Sequence, residues 1–208
     1  MSSAQVIYDI SPDIGEKTAV WPGDQAFSRA VAMDMKGGDN LTLSSITTTV
    51  HIGAHVDAPS HYDRDGESIE TRSLHYYMGP CQVVTVSVGR GARIESCPVK
   101  ITAPRVLFRT DSFPNPNEFN TDFSALSPQL IDQLATAGVC LVGIDTPSVD
   151  LFDDKVLLSH NAIASNDMAI LEGVVLAGVP DGVYNLIALP LKLAEADASP
   201  VRAVLIGD

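Results

Sequence analysis

Apolar positions in this chain fall in short runs broken by Pro, Gly, Asp and Ser, a pattern that predicts many strands and few helices. Val6 to Ile10 is β-rich and closed by Ser11-Pro12, and Trp21-Pro22-Gly23-Asp24 reads as a turn on its Pro-Gly pair. Leu41 to Val50, rich in Thr, Leu and Ile, predicts a strand leading into a histidine-rich stretch. Gln82 to Val88 and Arg105 to Arg109 predict two more strands, both partly buried. One helix is well punctuated: Ser127 is placed to cap it, Pro128 takes the first helical position, Gln129 to Ala137 continues it, and Gly138 lies just beyond. Val139 to Ile144 returns as an apolar strand ending in Asp145-Thr146-Pro147-Ser148. Asp154 to Ser165 predicts a helix, and Tyr184 to Leu189 and Val201 to Ile206 predict closing strands. Strands with interleaved helices point to an α/β protein with a mixed sheet. With no internal repeat or low-complexity linker, one domain over 1–208 is expected.

Composition narrows the function classes. A formal net charge of −13 and a pI near 4.5 repel polyphosphate and anionic lipid, so non-specific nucleic-acid binding is excluded. No apolar run reaches the roughly 18 residues of a membrane span, and the first ten residues carry neither a basic nor an apolar leader segment; a cytoplasmic protein is expected. Cys81, Cys97 and Cys140 are odd in number and widely separated, which argues against disulfides and thiolate metal knuckles and predicts small buried apolar side chains.

Candidate chemistry is concentrated in His51-Ile52-Gly53-Ala54-His55-Val56-Asp57-Ala58-Pro59-Ser60-His61, which holds three of the five histidines. Imidazole and carboxylate together are ligands for zinc, manganese or iron. On a helix His51 and His55 would share a face, but the preceding Thr47-Thr48-Thr49-Val50 favours a strand and Pro59 would break a helix. In a straight strand, at roughly 3.3 Å per residue, His51 and His55 would stand about 13 Å apart, too far for one ion. The chain must therefore bend between them, and Gly53 is the place for it. His55 and Asp57, about 6.6 Å apart on one face, can then converge on a metal with His51 folded back.

The same string resembles the signature of the cyclase-like metal-dependent hydrolases, His-x-Gly-[Thr/Ala]-His-x-Asp-x-Pro-x-His, and Ala54 is similar to the kynurenine formamidase (arylformamidase) branch. Further similar segments are Asp9-Ile10-Ser11, Trp21-Pro22-Gly23-Asp24, Gly79-Pro80-Cys81, Gly143 to Asp150, Ala169 to Gly173, Leu186 to Lys192 and Asp197 to Ala203, so the resemblance spans nearly the whole length. It implies a strand-rich, barrel-like core of the swivelling β/β/α type with flanking helices, a homodimer, and two zinc ions per subunit, with manganese or another divalent metal as the alternative. Carried over, His51 and His55 would hold the first ion, His160 the second, and Asp57 and Glu172 would bridge them. His61 would stay off the metals as proton donor and acceptor, and Trp21 would line the substrate pocket. Without the resemblance, His160, Glu172 and Trp21 are ordinary surface, strand-end and packing residues. His75 matches no motif, and Asp145 and Asp150 read as turn formers that could also position the site or a neighbouring subunit.

The activity this implies is hydrolysis of the N-formyl amide of N-formyl-L-kynurenine to L-kynurenine and formate, a step in tryptophan degradation. Bound cations lower the pKa of water from 15.7 to about 7, and His61 would pass a proton to the departing aromatic amine. Two alternatives are a related cyclic-amide hydrolase of the isatin hydrolase kind with a single manganese, and a non-catalytic metal- or small-ligand-binding protein.

Overall fold

A computed structural model describes residues 5–207; the first four residues, part of the segment read above as lacking a leader, lie outside it. In chain order the elements are β1 (Val6–Asp9), β2 (Ser28–Met33), β3 (Leu43–Thr47), β4 (His55–Asp57), β5 (Met78–Thr85), β6 (Arg93–Ile94), β7 (Arg105–Arg109), β8 (Ala125–Leu126), α1 (Pro128–Thr136), β9 (Leu141–Ile144), α2 (Leu158–Ser165), β10 (Ala169–Glu172), β11 (Gly182–Ile187), β12 (Ala198–Pro200) and β13 (Val204–Gly207). Nine strands form one curled mixed sheet in the order β1-β13-β11-β5-β7-β9-β10-β4-β12. Its centre, β5-β7-β9-β10, is parallel. The flanking pairs are antiparallel, including β10 with β4 and β4 with β12. The expected α/β class with a mixed, barrel-like sheet is what the chain adopts.

Alternation along the central strands builds two cores. Leu107, Leu141 and Leu171 face one, with Val56, Val83 and Leu186. Val106, Phe108, Val142, Ile144 and Ile170 face the other, where they meet Leu130, Ile131 and Leu134 of α1 and Ile163 of α2. Both faces are covered, so the central strands read as continuous apolar runs rather than alternating ones. Helix α1 forms as its punctuation predicts: the Ser127 hydroxyl accepts from the Leu130 N–H at 3.1 Å, Pro128 opens it, and Gly138 follows at φ +88°.

The same alternation places the functional side chains. Val56 packs into the first core, so its neighbours His55 and Asp57 project to the helix-covered face. On β10, Leu171 faces the first core and Glu172 the other side, and the register sets Glu172 opposite His55 and Ile170 opposite Asp57. The site thus lies at the carboxyl ends of the parallel strands, where ligands of open α/β sheets bind.

Several boundaries differ from the sequence reading. The strand predicted at Leu41 to Val50 is only Leu43–Thr47, paired with the unpredicted β2 in a hairpin exposed on both faces. The helix predicted from Asp154 begins at Leu158, because the Asp154 carboxylate instead accepts the N–H groups of Val156 and Leu157 at 2.8 and 3.0 Å. The strand predicted at 82–88 starts four residues earlier at Met78, that at 184–189 becomes Gly182–Ile187, and the last begins at Val204. All three cysteines are free, as expected, but only Cys81 is buried; Cys97 and Cys140 are half-exposed.

Candidate metal centre

The chain bends at Gly53, whose φ of +60° favours a residue without a β-carbon. The bend brings His51 back over the start of β4, with the His51 and His55 ring centres 5.2 Å apart. Helix α2 delivers His160 from the other side. Asp57 lies at the middle of the cluster. Its Oδ1 is 3.1 Å from His51 Nδ1 and 3.6 Å from His55 Nε2, and its Oδ2 is 3.5 Å from His160 Nε2. Glu172 closes the group, with Oε2 3.2 Å from His55 Nε2 and Oε1 3.9 Å from His160 Nε2.

Each of these three imidazoles has one nitrogen tied outward and the other turned inward. His55 Nδ1 meets the Gly53 carbonyl at 3.0 Å, His160 Nδ1 meets Asp150 Oδ2 at 2.8 Å, and His51 Nε2 meets Asp197 Oδ2 at 3.0 Å. An acceptor on the outer nitrogen fixes the tautomer and leaves the inner lone pair free, which is how metal-binding histidines are held.

Asp57 supplies the test of fit. Both its carboxylate oxygens are buried, and while the facing imidazole nitrogens are unprotonated neither oxygen has a hydrogen-bond donor among the described residues. A buried carboxylate without donors is costly, and a divalent cation in reach of nitrogen and oxygen donors removes the cost. Ligand atoms of His55, Asp57 and Glu172 lie within 4.8 Å of one another, as do those of His51, Asp57 and His61. This donor set suits a divalent metal.

The electrostatics of the protein without metal agree. Burial lowers the His51 pKa, but Asp57 and Asp197 outweigh it and raise it to about 9. Burial likewise opposes protonation of His160, yet Asp150, Asp57 and Glu172 raise it to about 10. His55 is raised against burial by Glu172 and Asp57, and Asp57 is held well below the carboxylate range, against its burial, by His160 and His51. Protons on the imidazoles take the place that a cation would fill.

His61 stands at the edge, its side chain 34% exposed. Its Nδ1 is 3.3 Å from Asp197 Oδ2 and its ring centre 4.2 Å from that of His51. The centre opens into a cavity of about 460 Å³ walled by Trp21, Phe113, Phe119 and Phe152. Trp21 packs at 5.0 Å from the Phe152 ring and 5.5 Å from that of Phe119. All seven residues singled out in the sequence therefore border one cavity or the centre at its floor, whereas His75 is exposed and is not part of the cavity lining.

Sequence reasoning undervalued two carboxylates, Asp150 and Asp145, and gave a third, Asp197, no role. Asp150, read as a turn former, is buried and accepts from the backbone of Ser159 at 2.8 Å, from Arg93 at 3.0 Å and from His160. Asp145 is also more than a turn residue: it accepts from the Thr110 hydroxyl at 2.6 Å and the Asp111 N–H at 2.8 Å, tying together the loops that follow β7 and β9. Asp197, which holds both His51 and His61, lay in a segment matched to the family without a role of its own. Only its position beside β12, next to β4, could have pointed to it.

The Cyclase family model matches residues 8–151 of the chain. A kynurenine formamidase of Maricaulis maris (strain MCS10) is 42% identical over 203 residues, covering 96% of this chain and 97% of that protein. A solved structure described as a "potential metal-dependent hydrolase with cyclase activity" superposes with a TM-score of 0.85 at 27% identity, covering 99% of both chains. An isatin hydrolase from Labrenzia aggregata shares the fold, with a TM-score of 0.83 at 22% identity over 99% of this chain and 94% of that one.

Proposed function

This chain belongs to the Cyclase family, and from that premise we propose that it is a metal-dependent amide hydrolase that cleaves N-formyl-L-kynurenine to L-kynurenine and formate. The observation that carries the reading is the inward turn of three imidazoles onto one buried carboxylate, Asp57, at the floor of an aromatic cavity. His51 and His55 would hold one zinc and His160 a second, with Asp57 and Glu172 shared between them. When bound, such cations act as Lewis acids toward the formyl oxygen and lower the pKa of water.

The chain's own residues do the rest. Trp21, Phe119 and Phe152 offer ring faces and edges to the substrate's aryl group. Their walls exclude bulk water and so strengthen every charge interaction within. His61 keeps Nδ1 toward Asp197, leaving Nε2 to take a proton from the attacking water and return it to the anilide nitrogen, which departs as a neutral aromatic amine. Asp197, by accepting at Nδ1, orients the ring for that transfer and stabilises its protonated form.

A second reading has one specific support. Because His51, Asp57 and His61 could together hold an ion, a single-metal centre with His61 as ligand would suit a cyclic-amide hydrolase of the isatin kind. The experiment that separates them is incubation of metal-stripped and zinc-restored protein with N-formyl-L-kynurenine and with isatin. Zinc-dependent formate release supports the formamidase, and ring opening of isatin without formate release overturns it.

We place the whole chain in one domain and in the cytoplasm, acting as a homodimer. The hairpin of β2 and β3 supports the dimer, since Val31, Leu43 and Ile46 are exposed on it at 48%, 54% and 63% and a second copy would cover them.

A further inference from the structure

We propose that Lys155 is the specificity-determining residue of the cavity, the cation that binds the α-carboxylate of an amino-acid-bearing substrate. The proposal deepens the formamidase reading and rests on it for the identity of the substrate. The cavity is strongly acidic: Asp24, Asp111, Asp145, Asp150 and Asp154 line it along with Glu172. An anionic group entering away from the metal centre would meet repulsion from nearly every charged side chain there. Lys155 is the only lysine or arginine in the lining. It is exposed, and among the described residues it makes no ion pair, whereas its neighbour Asp154 is engaged by Arg93.

Its backbone is held in place. The Asp154 carboxylate, anchored by Arg93, accepts the N–H groups of Val156 and Leu157, so the segment carrying Lys155 is fixed between that anchor and the start of α2. Lys155 thus stands in the cavity lining on an anchored stretch of backbone, in the same lining as His51, His55, His160 and Glu172. N-formyl-L-kynurenine has the matching layout. Its formamide is ortho to the ketone and its α-carboxylate ends the ketone's flexible alkyl arm, so with the formamide on the floor and the ring against Trp21, that arm can carry the carboxylate away from the floor to the Lys155 ammonium. A charge-assisted hydrogen bond there is stronger than a neutral one and is made in ground and transition states alike, so its loss appears in KM rather than kcat.

The test compares zinc-loaded wild type, Lys155→Met and Lys155→Arg on N-formyl-L-kynurenine and on 2-formamidoacetophenone, which keeps the aryl ketone and formamide but lacks the amino acid. Lys155→Met is expected to lower the ratio of kcat/KM between the two substrates about tenfold, through KM for the first. Lys155→Arg is expected to restore most of it. An unchanged ratio in Lys155→Met, or equal loss on both substrates, overturns the proposal. If wild type releases formate from neither substrate, the formamidase reading fails by itself. Calorimetric binding of L-kynurenine against 2-aminoacetophenone then decides the role of Lys155: weakening of L-kynurenine alone supports it, and equal or no weakening overturns it.

Discussion

A β-carbon at Gly173 would lie 2.2 Å from the Gly53 carbonyl oxygen, so the bend that precedes β4 and the turn that follows β10 touch backbone to backbone. Both residues hold positive φ, +60° at Gly53 and +65° at Gly173. The same Gly53 carbonyl accepts from His55 Nδ1, and Gly173 directly follows Glu172. One close approach therefore fixes the separation of His55 and Glu172 that a shared cation needs.

Gly173→Ala should destabilise the zinc-loaded protein by about 1–3 kcal/mol, since it adds a clash with backbone to an unfavourable φ. Urea unfolding measures this, and a variant as stable as wild type with full zinc content would show that the contact carries no such constraint.

Asp57→Ala should empty the whole centre, because the Asp57 carboxylate lies within 3.6 Å of all three inward-turned imidazoles. Elemental analysis of the purified variant checks it, and full zinc occupancy would contradict a shared role.

His61→Ala should retain metal while kcat falls about 10²–10⁴-fold, the usual contribution of a positioned acid-base group. Loss of metal from this variant would instead make His61 a ligand, as its proximity to His51 and Asp57 permits.

Asp150→Asn should weaken zinc binding about 10–100-fold, as expected when the carboxylate behind a metal-binding histidine is lost. Competition against a chromophoric chelator reads the affinity. An unchanged constant would show that Asp150 holds only the α2 segment through Ser159.

The protonated imidazoles give a pH dependence with a definite sign. His51 and His160 have folded pKa values of about 9 and about 10, above the 6.5 of the unfolded chain. Their contribution to the metal-free fold is fully present below pH 6.5 and is lost as pH rises through about 9 to 10. Zinc must displace those protons, so its affinity should rise over the same interval. Tm of the stripped protein should fall between pH 6.5 and 10 while that of the loaded protein holds; parallel curves would refute the assignment.

Much of this was legible because local chemistry and tertiary role agree. Ser127, Pro128 and Gly138 bracket α1 whatever it packs against, and Arg105 to Arg109 carries a Val-Leu-Phe run that forms a buried strand. Gly53 could be named as the bend because a straight strand cannot bring His51 and His55 together. The elements that escaped are short and depend on their neighbours. β4 and β10 span three and four residues, buried throughout, with too few positions to show a period. β2 is a surface strand whose small and polar residues carry little propensity. Asp150 and Asp197 escaped for a related reason. An aspartate in a turn-rich or loop stretch has a local explanation in turn formation, and only the fold brings these two behind His160 and His51.

The central claim is a metal centre built around Asp57, and anomalous diffraction at the zinc edge from zinc-loaded crystals tests it most directly. The account predicts two peaks flanking the Asp57 carboxylate, one beside His51 and His55 and the other beside His160, with Glu172 reaching both. A single peak bound by His61, or no peak within reach of Asp57, would contradict it.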